Sequence, residues 1–369
     1  MRFRLAPTGS ARRRLLRSML SRFPWIGESY LLPMVVLFYE MGPMWPWYRR
    51  LFAIRETRRI NRAIDAGVER VCLVYDCGVC PLTYGDYLQF VMIMRYFGER
   101  GTRATMYILD SEISPAHRDV KSDQEIEEFL QDLIEIGESL LSYPEVQAER
   151  VHDFQELMEL TDSQDLYVVC AWRTRNRRPL FHHGWNMFNH LMASLPSELQ
   201  DRVLLSSSDF AQFGTNLDVP SPRVAWHARY SSDIDLVRNL TNEEFLEIHE
   251  IIRIRYPDYS ILIVSDDAGC QHYSEVARAN GLDQTVFSKD YSSSYLGDAA
   301  LVLESDLYCA LRGGGMSIVA LMSRLPYRIA NRIVHYERRN GQPFTSWQDQ
   351  TQQFLDEEHL SGFRAMLMS

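Results

Sequence analysis

Three short polar sequences in the second half of the chain carry residue types that suit a phosphorylated ligand. They are His227-Ala-Arg229, Ser265-Asp266-Asp267 and Arg312-Gly313-Gly314-Gly315-Met316-Ser317. Arginine holds phosphate oxygens through paired hydrogen bonds, a carboxylate accepts hydrogen bonds from ribose hydroxyls, and glycine lets the backbone approach a ligand closely. Together these residue types indicate a nucleotide-binding site.

The glycine sequence, residues 312–317, lies between a predicted strand at 307–310 and a predicted helix at 316–322. The N–H groups at the start of that helix suit a phosphate, Ser317 adds a hydroxyl, and Arg312 or Arg229 adds a guanidinium. It lacks the Lys-Ser/Thr ending of a P-loop, so ATP hydrolysis is not indicated. The alternative is a tight turn that packs the helix closely against the strand.

The other two polar sequences have a structural interpretation beside the functional one. Asp266 or Asp267 suits a ribose or a base edge, and either also suits the N-cap of a helix. His227, next to a buried strand, is the kind of histidine that is often structural. Alternation along an extended chain points His227 and Arg229 the same way, however, and this favours a functional role for the pair.

In the first half, Gly85-Asp86 stands at the start of a predicted helix, where the Asp86 carboxylate suits a general base and equally a helix N-cap. Cys77 and Cys80 form a Cys-x-x-Cys after a strand. One such motif without a thioredoxin-length domain favours redox chemistry only weakly. Zinc needs a second ligand pair at suitable spacing, and the sequence has none.

Two further sets of polar residues are weaker candidates. Asp233 and Asp235 have the spacing that can hold Mg²⁺ or Mn²⁺ against a diphosphate, although a solvated helix cap is the better interpretation. His182 and His183 suit an anionic acceptor or the diphosphate, with a solvated basic loop as the alternative. Four arginines precede them: Arg173, Arg175, Arg177 and Arg178.

Alternating strands and helices must position these residues. Strands at 71–75 and 105–109 around a helix at 87–97 predict a βαβ unit, and the alternation restarts after a polar stretch at 207–222. The pattern predicts an α/β protein with two Rossmann-like parallel-sheet domains that face a cleft. The predicted divisions are a basic and aromatic segment at 1–60, a first domain at 61–210, a second domain at 211–340, and a C-terminal helix within 341–369 that crosses back.

The three polar sequences all follow predicted strands of the second domain, at 223–227, 260–264 and 307–310. In open parallel sheets, ligands bind in the crevice beyond the carboxyl ends of the strands. The sequence therefore predicts that the three lie at one edge of one sheet.

Composition narrows the class of protein. The chain has 369 residues, is 46% apolar and holds six cysteines, so it can bury a large core without a disulfide framework. A reducing, cytoplasmic compartment fits best. The net charge of -10 disfavours nonspecific binding of nucleic acid, which depends on many positive charges.

Residues 1–60 are the basic exception, since twelve arginines against three glutamates give them +9 and leave -19 for the rest of the chain. The arginines from Arg12 to Arg17 alternate with apolar residues in a pattern that suits an anionic membrane surface. The apolar run at 30–39 contains Pro33 and is too short for a bilayer, which takes roughly 20 residues. Peripheral membrane docking and a solvated face are the two interpretations.

The order of the three polar sequences resembles that of GT-B glycosyltransferases. A strand with His227 and Arg229, a strand with Ser-Asp-Asp, and a strand with a small-residue loop ending in Ser317 are similar to three motifs of the α1,6-fucosyltransferase and protein O-fucosyltransferase superfamily. The resemblance implies contact of Arg229 with a donor diphosphate, of Asp266 or Asp267 with the nucleoside, and of residues 314–317 with phosphate. The family motif continues with Arg and Asp, whereas Tyr230-Ser-Ser-Asp233 stands here.

Gly85-Asp86 and the loop at Gly313 also resemble heptosyltransferases, which implies that Asp86 is the base. The two resemblances together imply a metal-independent, inverting hexosyltransferase of the fucosyltransferase-like kind. It would move a sugar from a GDP- or UDP-linked donor, bound by the second domain, to a glycan or lipid-linked acceptor on the first, with no cofactor besides the donor. Arg229, Arg312 and the amides of 313–317 would stabilise the leaving diphosphate, and Asp86 or His227 would take the acceptor proton.

Two other functions remain open at this point. A sugar-nucleotide epimerase of the same architecture would act on the nucleotide sugar alone and need no acceptor. A noncatalytic protein would use the glycine sequence only to recognise a phosphorylated ligand.

Deletion of residues 1–23 tests the membrane interpretation of the basic segment. We expect the truncated protein to lose binding to anionic liposomes and to keep nucleotide binding, because the deleted residues hold the amphipathic arginines. Liposome co-sedimentation and nucleotide-dependent thermal stabilisation measure the two properties. Normal liposome binding by the truncated protein would contradict membrane docking and favour the interpretation that these arginines form a solvated face.

Overall fold

A computed structural model describes most of the chain from Trp45 onward. The described residues are 45–78, 80, 82–113, 121–162, 164–168, 171–173, 179–182, 184–213, 219–230, 239–311, 315–330, 334–338 and 352–353. The chain divides into two compact units, residues 1–82 with 89–195 and residues 83–88 with 196–369. The division after residue 195 precedes the domain boundary that the sequence suggests at 210/211.

The first unit is built on a parallel sheet of four strands in the order β3-β2-β1-β4. Its strands are β1 (Arg70–Asp76), β2 (Arg103–Leu109), β3 (Val146–Val151) and β4 (Leu166–Val168), with a separate hairpin of β5 (Ala171–Arg173) and β6 (Pro179–His182). The helices are α1 (Trp45–Asp65), α2 (Tyr84–Glu99), α3 (Asp123–Leu140), α4 (Phe154–Asp162) and α5 (Gly184–Ala193). The first turn of α2 is grouped with the second unit.

The strands and helices of the first unit follow from burial and capping. In β1 and β2 every residue after the first is buried, as expected of continuous apolar runs covered on both faces of a parallel sheet. Helix α3 begins with a capping box, in which the Ser122 side chain accepts from the Glu125 N–H and the Glu125 carboxylate accepts from the Ser122 N–H. Its apolar stripe faces the core, and its carboxylates face water.

The second unit contains a sheet of seven strands in the order β13-β12-β11-β10-β7-β8-β9. These strands are β7 (Arg223–His227), β8 (Ser260–Val264), β9 (Thr285–Phe287), β10 (Leu307–Leu311), β11 (Tyr327–Ala330), β12 (Val334–Arg338) and β13 (Gln352–Gln353). The helices are α6 (Ser197–Val203), α7 (Asn242–Arg255), α8 (Asp267–Ala279), α9 (Tyr295–Leu303) and α10 (Gly315–Leu321). Strands β7 to β11 are parallel, and β12 and β13 are antiparallel.

An aromatic stack holds α7 and α8 against one face of the second sheet. The fully buried Trp226 of β7 stacks on Phe245 of α7 at 4.8 Å between ring centroids, and Phe245 stacks on Tyr273 of α8 at 4.5 Å. Buried aromatic pairs of this kind contribute roughly 0.5–1.5 kcal/mol beyond their area. Side chains alternate along a strand, so His227 points to the opposite face of the sheet from Trp226.

The observed architecture confirms the α/β class with two Rossmann-like parallel-sheet units. Helix α2 begins at Tyr84, three residues before the predicted start at 87, because the Thr83 hydroxyl accepts a hydrogen bond from the Asp86 N–H at its N-terminus. Of the C-terminal segment predicted as a helix, the structure describes only residues 352–353, and these form β13. Pairing with β12 outweighs helix propensity there.

No helix in the described part of the chain combines the length and apolar character needed to cross a bilayer. The amphipathic stretch of the N-terminal segment before residue 45 lies outside the described residues.

Substitutions on α3 test the packing of the first unit. Leu133 is fully buried, so Leu133→Ala should lower the free energy of unfolding by about 2–5 kcal/mol through lost burial and a cavity. Glu135→Ala, at an exposed position of the same helix, should stay within about 0.5 kcal/mol of wild type. Urea unfolding measures both. Equal effects of the two substitutions would contradict the assigned helix face.

Candidate functional site

The register of the second sheet brings the three polar sequences to one edge. His227, the last residue of β7, pairs with Val264 of β8 on one side and with Ala310 of β10 on the other. The ends of the three strands therefore lie side by side, and the described residues that follow β7 and β8 emerge next to each other. The chain leaves β7 toward β8, while β10 lies on the opposite side of β7, so a topological switch point falls between β7 and β10. Ligands of open α/β sheets bind at such points.

Hydrogen bonds to the backbone hold the first polar sequence in place. The Ser265 hydroxyl donates to the Ala228 carbonyl at 2.9 Å, and the Tyr273 hydroxyl lies 3.1 Å from the Arg229 carbonyl. The N–H of Leu240 also donates to the Arg229 carbonyl, at 3.3 Å. The His227 side chain is buried and that of Arg229 is half-buried. These hydrogen bonds fix the backbone from which the Arg229 side chain extends.

Each of the three residues in the second polar sequence, Ser265, Asp266 and Asp267, has a different structural position. Ser265 ties the ends of β8 and β7 together, as described above. Asp266 is the N-cap of α8, and its carboxylate accepts from the Gly269 N–H at 2.7 Å. Asp267 is exposed in the first turn of α8. A Cβ at Gly269 would lie 2.0 Å from the Ser265 hydroxyl oxygen, so only glycine fits beside that serine.

Of the glycine sequence, the structure describes Gly315, Met316 and Ser317, while Arg312, Gly313 and Gly314 lie outside the described residues. Gly315 begins α10, and the buried Ser317 hydroxyl lies 3.0 Å from the Tyr308 hydroxyl of β10. The Tyr295 hydroxyl of α9 donates to the Gly315 carbonyl at 3.4 Å. Tyr308 is fully buried and Tyr295 is half-buried, and desolvation raises the pKa of both above the ordinary value, so both hydroxyls stay protonated.

Asp86 lies in the part of α2 that belongs to the second unit. The Thr83 hydroxyl donates to the Asp86 carboxylate at 2.6 Å, and the Asp86 N–H donates back to the Thr83 oxygen at 3.1 Å. Thr83 thus caps the helix and orients the carboxylate. The next residue on the N-terminal side, Gly85, is buried and lies against Gly315 of the glycine sequence.

A buried ion pair follows β9, the edge strand. Lys289 donates to the Asp298 carboxylate of α9 at 2.7 Å, and the two side chains are only 16% and 7% exposed. Burial raises the pKa of Asp298 to about 6, although Lys289 and neighbouring serine hydroxyls act in the opposite direction. The sequence analysis did not single out this pair. The position of Lys289 just beyond the end of β9 is the sequence signal that would have identified it.

A cavity of about 590 Å³ is lined by residues of α8, of β9 and of the segments that follow them, a volume within the range of small-molecule sites. Asp267 and Lys289 line it together with Gln271, Arg278 and Phe287. Asp267 is the one residue of the three polar sequences among its lining residues. The cavity adjoins the edge strand, whereas the switch point lies between β7 and β10.

A second charged cluster lies at the carboxyl edge of the first sheet. Asp110 follows β2, and its carboxylate oxygens lie 3.0 Å from Nδ1 of His152, which follows β3. Arg150 contacts the same carboxylate and also binds Glu127 of α3. Hydrogen bonding to Arg150 lowers the pKa of Glu127. This cluster joins α3 to the ends of two strands, and the sequence analysis did not single it out.

Several sequence candidates remain without a structural description. Asp233, Asp235, His183 and the side chains of residues 173–178 lie outside the described residues. In the described part of the chain, no group of three His, Cys, Asp or Glu side chains is arranged to hold a metal ion. Cys77 and Cys80 are both completely buried thiols.

The chain was compared with known families and proteins. No protein-family model matches the chain, and no curated protein sequence matches it significantly. Among solved structures, the E. coli ADP-heptose LPS heptosyltransferase II is 13% identical, with a TM-score of 0.41, over 81% of this chain and 98% of that one.

Two more solved structures are similar. The glycosyl transferase family 9 protein of Veillonella parvula is 8% identical, with a TM-score of 0.38, over 81% of this chain and 97% of that one. The Methanocaldococcus jannaschii UDP-GlcNAc 2-epimerase is 13% identical, with a TM-score of 0.30, over 71% and 83%. All three similarities are ones of fold alone.

The Lys289–Asp298 pair predicts a pH dependence of stability. The Asp298 pKa of about 6 in the folded protein is above its ordinary value of 3.8, so the folded state binds this proton more tightly than the unfolded state. The contribution of Asp298 to the free energy of unfolding is therefore fully present below about pH 4 and is lost as the pH rises to about 6. The loss is about 1–3 kcal/mol.

Asp298→Asn removes this titration. Urea unfolding of both proteins at pH 4, 5, 6 and 7 should show wild type losing stability relative to the variant between pH 4 and 6. The difference between the two curves isolates Asp298, because all other titratable groups are shared. Parallel curves would contradict the raised pKa.

Proposed function

We propose that this chain is a GT-B glycosyltransferase that transfers a sugar from a nucleotide-sugar donor to a glycan or lipid-linked acceptor. The observation that carries the proposal is the row formed by Val264, His227 and Ala310, which sets the three polar sequences beside one another at the carboxyl edge of the second sheet. Residues from three strand ends that meet at a switch point are typical of a nucleotide site. The same three sequences carry the resemblance to GT-B enzymes.

The donor diphosphate is bound by Arg229, Arg312 and the backbone of the glycine sequence. Arg229 suits this role because three hydrogen bonds hold the backbone at 228–229, so the guanidinium starts from a fixed point. Planar guanidinium matches phosphate oxygens with two parallel hydrogen bonds. Asp267 binds the nucleoside, because its carboxylate is exposed at the start of α8, just after the end of β8. Asp266 instead serves as the N-cap of α8.

The transfer is a single displacement. The acceptor oxygen attacks the anomeric carbon, the bond from that carbon to the diphosphate oxygen breaks, and the diphosphate leaves with the bonding electrons. Arg229 and Arg312 offset the negative charge that develops on the leaving group, which is the largest electrostatic demand of the reaction. One displacement inverts the configuration, and guanidinium groups supply the positive charge without a metal ion.

Asp86 accepts the proton of the acceptor hydroxyl in this mechanism. Its carboxylate is half-buried, is oriented by Thr83, and belongs to the unit that carries the glycine sequence. His227 is the second candidate base, at the end of β7. A base must lie within hydrogen-bond reach of the proton it takes, and a carboxylate held by a neighbouring hydroxyl keeps its place between turnovers.

Arg229→Ala tests the donor site. We expect wild type to be thermally stabilised by one of a panel of GDP-, UDP- and ADP-linked sugars, and the variant to bind that nucleotide about 10- to 100-fold more weakly through loss of charge-assisted hydrogen bonds. Arg103→Ala is the matched control, because Arg103 is exposed at the start of β2 in the first unit. No stabilisation of wild type by any nucleotide at millimolar concentration would refute the proposal.

Product analysis separates this proposal from the two alternatives. A transferase leaves the nucleotide sugar unchanged until an acceptor is added, apart from slow hydrolysis. A sugar-nucleotide epimerase converts the nucleotide sugar alone into its epimer. A protein that binds without catalysis is stabilised by the nucleotide and forms no product with any acceptor.

A further inference from the structure

We propose that Gly85 is a positioning residue, and that its contact with Gly315 sets the distance between the Asp86 carboxylate and the glycine sequence. The inference rests on the proposed function, since it concerns the base and the donor loop of that reaction. The position of the Asp86 carboxylate then depends on a glycine-to-glycine contact that the sequence motifs alone do not predict.

The contact is too tight for a side chain at Gly85 unless a neighbour moves. A Cβ at Gly85 would lie 3.0 Å from the Gly315 Cα, 3.1 Å from Cγ1 of Ile318 and 3.5 Å from the Gly315 carbonyl oxygen. Carbon atoms in contact normally lie about 3.5–4.0 Å apart. The nearest neighbour is backbone, which cannot rotate away as a side-chain tip can. A Cβ at Gly85 therefore requires the turn at 83–88 or α10 to shift by a few tenths of an ångström.

An aromatic pair fixes the same contact from the side. Tyr84 stacks on Tyr295, with 4.6 Å between ring centroids and 27° between the planes, and the Tyr295 hydroxyl donates to the Gly315 carbonyl. Tyr295 thus touches the residues on both sides of the contact. Stacking and the hydrogen bond oppose sliding of the turn along α10.

Thr83 completes the link from the glycine sequence to the carboxylate. Because Thr83 and Asp86 exchange hydrogen bonds at 2.6 and 3.1 Å, the carboxylate keeps one orientation relative to its own turn. The contact of Gly85 with Gly315 holds this turn in position. A carboxylate positioned in this way is sensitive to small shifts, since a misplacement of about 1 Å in a catalytic geometry can cost on the order of 100-fold in rate.

Gly85→Ala is the direct test. We expect kcat for sugar transfer to fall about 10-fold, while the affinity for the nucleotide that stabilises wild type stays within about threefold, because the substitution displaces the turn that carries Asp86 and leaves Arg229 in place. Gly98→Ala is the matched control on the same helix. A Cβ at Gly98 would lie 2.4 Å from the Tyr143 ring in the first unit, so that variant should melt lower and keep its kcat.

Substitutions of Thr83 give a second readout, in which kcat is measured beside the melting temperature because the same hydroxyl also caps α2. Thr83→Val removes the hydroxyl that orients Asp86 and should lower kcat, and Thr83→Ser restores the hydroxyl and should recover most of it. A serine variant as slow as the valine variant would overturn the role of this hydrogen bond.

The outcomes separate the inference from the function on which it rests. A wild-type kcat in Gly85→Ala, or a loss confined to melting temperature and nucleotide affinity, would overturn the positioning role and leave the transferase standing. A wild-type protein that neither binds a nucleotide nor transfers a sugar would refute the proposed function, and the positioning role would fall with it.

Discussion

The backbone hydrogen bonds of β7 with its two neighbours are the constraint on which the candidate site depends. They hold Val264, His227 and Ala310 in one row, and the three polar sequences begin at this row or within two residues after it. A slip of one residue in either ladder would turn His227 into the core and Trp226 out of it. The stack of Trp226 on Phe245 therefore protects the register, and the register presents the site.

Many of the polar side chains near the strand ends stabilise local structure. Their hydrogen bonds fix the backbone positions of the remaining polar residues. Asp266 caps α8, Ser265 joins β8 to β7, and Tyr273 lies against the Arg229 carbonyl. Each interaction removes a degree of freedom from the backbone that carries Arg229 and Asp267. A binding group on a rigid support loses less entropy when it meets a ligand, so structural and functional interpretations of one motif are complementary.

Burial and charge work against each other at the edge of the same unit. The Lys289–Asp298 pair lies almost entirely out of water, and the raised pKa of Asp298 records that desolvation outweighs the attraction of its partner. The pair adjoins a cavity whose lining includes Asp267 and Lys289. The pair also holds α9, whose Tyr295 donates a hydrogen bond to the Gly315 carbonyl.

The sequence by itself determined the α/β class and most of the elements, including β7 and β8 to the residue, because buried parallel strands are continuous apolar runs between polar turns. It also determined which residue types stand at the strand ends. Only the tertiary structure decided that the first turn of α2 belongs to the second unit, that Gly85 touches Gly315, and that Lys289 pairs with Asp298. These contacts join residues that are remote in sequence or lie on different elements, and periodicity reports only which face of an element is buried, not which partner covers it.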